Sequence, residues 1–114
     1  NKNKKISGYE NVIYSGVTTL WMSKTIIKIL AKLPELNGIY NVSSEPISKY
    51  DLINKINKHF KLNIDIEADS SFFSNKSLNS SKFFLKSNIE KPDWDQMLLN
   101  LYNDSKKNNN LYNI

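Results

Sequence analysis

Apolar residues recur along this chain with two periods, and the changes between them mark its elements. Asn11-Val12-Ile13-Tyr14 is a short β-prone run broken by Gly16. A helix is predicted from Thr18 or Thr19, either of which suits an N-cap. Leu20, Ile26, Ile27, Leu30 and Leu33 follow at three- and four-residue spacing, which predicts one buried stripe, and Pro34 is expected to end the helix. Asn37-Gly38 reads as a turn into a strand over Ile39-Tyr40-Asn41-Val42-Ser43.

The second helix carries the fullest set of start signals. Ser48 stands as N-cap with Asp51 three residues on, and Ile47 and Leu52 occupy the staple positions around it. Leu52, Ile53, Ile56 and Phe60 form its apolar stripe, with His59 near its end as a surface or helix-dipole residue. Ile64, Ile66 and Ala68 then alternate with Asp65, Glu67 and Asp69, the pattern of a half-buried strand. A third helix is expected after Asp93 and Gln96, which repeat the capping logic, burying Trp94, Met97, Leu98 and Leu101. The expected core includes Ile27, Leu30, Leu52, Ile56, Ile66, Trp94 and Leu98, and the segment 106–114 is expected to be a frayed polar tail after a single unit over 1–105.

Length and composition narrow the classes. A chain of 114 residues with 39% hydrophobic and 24% charged content fits one small globular unit. Without cysteine there is neither a disulfide framework nor a thiolate metal site, and His59 alone makes no metal or triad cluster, so no metal ligand is assigned. No apolar run approaches the ~20 residues of a membrane span. The opening residues are Asn- and Lys-rich with no apolar signal region, which points to the cytoplasm, and the missing initial Met suggests a piece of a longer chain. All 16 basic residues are Lys, within a formal charge of +5. A nucleic-acid surface would use Arg for base edges and phosphate forks, so the Lys24, Lys28, Lys32 stripe reads as a solvated helix face and no nucleic-acid partner is expected.

Candidate chemistry concentrates between Asn75 and Phe83. The run Asn75-Lys76-Ser77-Leu78-Asn79-Ser80-Ser81-Lys82-Phe83 sets a cation among short hydroxyl and amide side chains, a combination suited to a phosphorylated, hydroxyl-rich ligand. Its bland alternative is a solvated turn. The glycines are Gly8, Gly16 and Gly38, so a Gly-rich dinucleotide or P-loop turn is absent. Tyr102 and Lys106 match a Tyr-x-x-x-Lys pattern by chance, at the end of the last predicted helix, and no catalytic or cofactor-binding residue is assigned.

Four blocks in order resemble a known family. Gly8 to Leu20 is similar to the segment opening the C-terminal part of extended short-chain dehydrogenase/reductases, in particular the dTDP-4-dehydrorhamnose reductase-like sugar-nucleotide enzymes. Gly38-Ile39-Tyr40-Asn41-Val42-Ser43-Ser44 with Ile47 to Leu52 resembles the next block; Asn75 to Phe83 and Lys91-Pro92-Asp93-Trp94-Asp95-Gln96-Met97 resemble the last two. The resemblance implies an α/β fold: the C-terminal substrate-binding lobe of such an enzyme, about three helices and a small sheet, with the Rossmann domain absent from this chain. It implies that the full-length protein is an NAD(P)-dependent reductase of deoxysugar and polysaccharide synthesis, with NADP or NAD and the catalytic pair held by that other domain.

The partners so implied are a nucleotide diphospho-sugar and the Rossmann domain, with oligomerisation left open and the fragment alone inactive. The substrate-facing residues are Lys76, Ser77 and Asn79, with Thr18 and Trp21 as secondary candidates. Thr18 reads as a helix cap at least as well, and Trp21, off the main stripe, packs on the absent domain or lines the cleft. The chain departs from the pattern it resembles at Lys76, where members of that family commonly carry Arg. The competing readings are a non-catalytic module of the same architecture and an epimerase or dehydratase lobe.

Overall fold

The computed structural model describes residues 5–33 and 35–108. Its elements are, in order, β1 (Lys5–Tyr9), β2 (Val12–Tyr14), α1 (Thr19–Lys32), β3 (Ile47–Ser48), α2 (Lys49–His59), β4 (Asp65–Asp69), β5 (Ser74–Asn75), α3 (Ser81–Ser87) and α4 (Trp94–Lys107). Among the described residues this is a small α/β fold with four helices and two small sheets. One sheet pairs β1 with β4 in parallel, Lys5 opposite Asp65 through Tyr9 opposite Asp69. In the other, β2 lies between β3, antiparallel to it, and β5, parallel to it.

The capping signals read from the sequence act as expected. Thr18 Oγ1 accepts the Trp21 amide at 3.1 Å and starts α1. Ser48 Oγ accepts the Asp51 amide at 3.0 Å and starts α2. Asp93 Oδ1 accepts the Asp95 amide at 3.3 Å at the head of α4, whereas Gln96 turns outward to Asn100. α2 lies close over β1: a Cβ on Gly8 would come within 2.9 Å of Tyr50 Cα, so only glycine permits this approach.

The core sits where α4 meets α2 and α1. Trp94, Met97 and Leu98 are buried, with Val17, Trp21, Ile47, Leu52, Ile56, Phe60 and Leu101 packed around them. The expected burial of Leu98 and Trp94 holds, and Ile66 is half-buried in β4. The expected stripe on α1 does not hold. Ile26, Ile27 and Leu30 are 48%, 67% and 73% exposed. The inward face carries Trp21, Thr25 and Ile29 at four-residue spacing instead, with Thr25 buried. Both faces of α1 carry apolar residues, and the one bearing Trp21, which packs on Trp94, Met97 and Leu98 and lies near Phe84 (centroids 6.4 Å), takes the core.

Three further expectations change. The strand proposed over 39–43 does not form; at its end the Ser43 carbonyl accepts the Ser80 hydroxyl at 3.2 Å instead of a ladder bond. The polar run from Asn75 to Phe83 takes in the end of β5 and the start of α3, and Phe83 of α3 is 2% exposed against Phe84 and Tyr40. Lys106 and Lys107 belong to α4 rather than to a frayed tail, with the Asn108 amide bonded to Asp104 O at 2.9 Å. The Pro34 stop and residues 109–114 lie outside the described residues; α1 closes with the Leu33 amide on Ile29 O at 2.9 Å.

Candidate functional site

Four buried serines fix the polar segment in place. Ser15, Ser43, Ser44 and Ser80 are each 2% exposed or less. The Leu78 amide donates to Ser15 Oγ at 2.8 Å, Ser43 Oγ donates to Leu78 O at 3.1 Å, and Ser80 Oγ donates to Ser43 O at 3.2 Å. Ser44 closes the set, its amide on Ser15 O at 2.8 Å and its hydroxyl on Gly16 O at 2.6 Å. Buried backbone groups need partners, and here hydroxyls supply them across three loops where no strand ladder runs.

The same ties assign jobs to the sequence candidates. Ser77 donates its hydroxyl to Asn75 Oδ1 at 2.7 Å, and its amide bonds the same oxygen, a local turn. Asn79 Oδ1 accepts the Ser81 amide at 3.0 Å, and its carbonyl accepts from Asn41 Nδ2 at 3.4 Å. Both therefore shape the loop. Lys76 differs: its amide extends the β5–β2 pairing through Ile13 O at 3.0 Å, while its ammonium has no ion pair or hydrogen bond among the described residues.

Lys76 lines a groove of about 460 Å³ with Tyr9, Val12, Ile13, Tyr14, Lys49, Phe72 and Ser74. Thr18 and Trp21 stand elsewhere: Thr18 caps α1 and borders a hollow with Val17, Ser23 and Leu101. Trp21 packs on the core and lines a third concavity with Thr25, Ile89 and Met97. The five candidates thus do not line one groove.

A larger open groove, about 860 Å³, lies between α2 and the head of α4 and is lined by Glu45, Lys55, Lys58, Lys91, Asp93 and Asp95, among others. Its charges are largely answered internally. Lys55 Nζ meets Asp95 Oδ2 at 2.6 Å, His59 Nε2 lies 2.9 Å from Asp95 Oδ1, and Lys91 Nζ meets Glu45 Oε1 at 2.8 Å. The hydrogen bonds from Lys55, then from His59, hold the Asp95 carboxyl below the usual carboxylate range. Sequence reading left His59 as a surface residue, because its partner lies 36 positions away.

The residues present do not fit a dinucleotide cofactor. β2 passes into α1 through Ser15–Thr18 with Gly16 alone, and the Gly8 backbone is closed by Tyr50. The Tyr102–Lys106 pair is a surface contact: the Lys106 ammonium lies 5.4 Å from the Tyr102 ring centre, with Lys61 at 5.6 Å and Phe60 edge-on at 5.5 Å. No group of three or more metal-ligating side chains occurs among the described residues, nor is any helix there long and apolar enough to cross a membrane.

Against known proteins, the fold has a clear likeness. No protein-family profile and no curated protein sequence matches the chain. A crystal structure of dTDP-4-dehydrorhamnose reductase from Bacillus anthracis str. Ames in complex with NADP superposes with a TM-score of 0.71 at 17% identity. The match covers 90% of this chain and 38% of that one, so the chain spans under half of the neighbour's length. The likeness is one of fold: the chain shares the architecture of part of that crystal structure.

Proposed function

We propose that this chain is the substrate-facing lobe of a longer NAD(P)-dependent sugar-nucleotide reductase, with the Rossmann domain and its catalytic pair supplied from outside this sequence. The observation that carries the reading is the superposition on an NADP-bound reductase over 90% of the chain, reached by a sequence only 17% identical. Two features of the chain support it. The Ile26, Ile27 and Leu30 face of α1 is apolar and exposed, a surface suited to a further domain of the same protein. The unpaired Lys76 supplies a cation beside a groove, which a diphosphate leaving water requires.

In this reading the lobe does no redox chemistry. It binds and orients the nucleotide sugar and excludes water as it closes, while hydride transfer to the keto-sugar belongs to the cofactor domain. The test is NADPH oxidation by the full-length protein given a dTDP-4-dehydro sugar. Turnover supports the reading; a parent that binds the nucleotide sugar without oxidising NADPH favours the non-catalytic module.

A further inference from the structure

The turn after α1 holds the chain's one Asn-Gly pair, Asn37-Gly38. Both residues are exposed and lie in neither helix nor strand. Gly38 has φ +105°, a backbone state that favours glycine, and no Cβ crowds its nitrogen. Among the described residues the Gly38 amide donates to nothing and the Asn37 side-chain amide has no partner. The Asn37 carbonyl oxygen differs: it accepts the Tyr40 hydroxyl at 2.6 Å.

Tyr40 is held in place to make that bond. Its ring meets Phe83 edge to face with centroids 5.9 Å apart, and the Lys82 ammonium lies 5.0 Å from its centre. Phe83 is buried, so the hydroxyl is anchored to the core through α3. The oxygen it bonds belongs to the same peptide unit as the Gly38 nitrogen. Removing the amide proton spreads negative charge over that nitrogen and that oxygen, and a donor already aimed at the oxygen stabilises the anion.

We propose that Asn37-Gly38 is a self-modification site, at which the chain converts Asn37 to aspartate and isoaspartate with Tyr40 as the oxyanion donor. Hydroxide takes the Gly38 amide proton. The nitrogen lone pair then attacks Asn37 Cγ and forms a new C–N bond. The Cγ–Nδ2 bond breaks, and ammonia leaves with a proton from water, which returns the hydroxide. The succinimide so formed adds water at either carbonyl. Opening at Cγ gives aspartate; opening at the backbone carbon gives isoaspartate, whose main chain runs through Cβ and Cγ. One water is consumed and one ammonia released, and the formal charge of +5 falls by one as the new carboxyl ionises.

This chemistry is separate from substrate binding and does not depend on it. Other asparagines lack the combination. Asn79 is followed by Ser80, but its Oδ1 already accepts the Ser81 amide at 3.0 Å, and Ser80 is 1% exposed. Asn41 precedes Val42, whose branched side chain crowds the nitrogen that would attack. The modification lands between α1 and the buried ties at Ser43 and Ser44. An aged chain therefore carries a new charge in that segment, and in isoaspartate an extra main-chain carbon.

The experiment is to hold this chain in mildly alkaline buffer for weeks and map its peptides by mass spectrometry, with an isoaspartate methyltransferase as label. We expect aspartate and isoaspartate to accumulate at Asn37 while Asn79 stays unchanged. Tyr40→Phe keeps the ring against Phe83 and should slow the conversion roughly tenfold, one hydrogen bond to a developing anion being worth about that much. In urea, where the bond is lost, the wild type and Tyr40→Phe should convert at equal rates. Asn37→Gln should abolish the label there. An intact Asn37, conversion at Asn79 ahead of it, or folded Tyr40→Phe matching the wild type would overturn the proposal. A Tyr40→Phe difference that persists in urea would also overturn it, because the folded bond would then not be its cause.

Discussion

The Leu78 amide donates to the hydroxyl of Ser15 across 63 positions of sequence, at 2.8 Å, and this bond ties the polar segment to the end of β2. Ser15 is 2% exposed, so water cannot take its place without rearrangement. Ser15→Ala should therefore cost about 1–3 kcal/mol, the penalty for a buried donor left without a partner. Urea unfolding measures it. A change below about 0.3 kcal/mol would show that the loops hold together without this hydroxyl.

The two apolar faces of α1 and α4 should respond in opposite ways to truncation. Leu98 is 2% exposed, and Leu98→Ala should cost about 2–5 kcal/mol through lost burial and a cavity. Ile27 is 67% exposed, and Ile27→Ala in this chain should cost under about 0.5 kcal/mol. In the full-length protein the same Ile27 substitution should cost more, because the proposed domain covers it. Equal costs in both contexts would leave that face solvent-exposed in the parent as well.

The Asp95 cluster makes stability depend on pH in one direction. Its folded-state pKa is depressed by Lys55 and His59, so its contribution is fully present above the unfolded value of about 3.9 and is lost as pH falls through the lower folded value. The Asp95 side chain is 46% exposed, so solvent screening holds the contribution to under about 1 kcal/mol. The stability gap between the wild type and Asp95→Asn should be present at neutral pH and shrink as pH falls through the lowered folded value. A gap that does not shrink on acidification would assign the effect to something other than the carboxylate.

The cofactor should not bind here. Calorimetric titration of NADPH into this chain should give no micromolar event, since its three glycines form no dinucleotide turn. Micromolar binding would show that the nucleotide site is built differently from the Rossmann pattern.

Local signals were the legible part of this fold. Thr18, Ser48 and Asp93 announce their helices because a cap and its amide lie within three residues of each other. The α4 face of Trp94, Met97 and Leu98 is legible because that helix has one apolar side. The face of α1 was not, because Trp21 and Ile27 head two competing stripes and only packing chooses between them. The loop over 39–43 was not legible either, because the bonds that anchor Ser43 and Asn41 reach residues 35 and 38 positions away. Lys76 could be picked out by its neighbours in sequence, whereas Lys49 could not, since β2 alone brings the two cations to one groove.

The central claim is that this lobe closes over a nucleotide diphospho-sugar with Lys76 at the phosphates. Steady-state kinetics of the full-length protein carrying Lys76→Ala, at low salt, test it most directly. A phosphate contact remote from the reacting carbon is made equally in ground and transition states, so KM should rise about tenfold while kcat stays within about twofold. Unchanged KM and kcat under those conditions would make Lys76 a solvated loop residue and contradict the account.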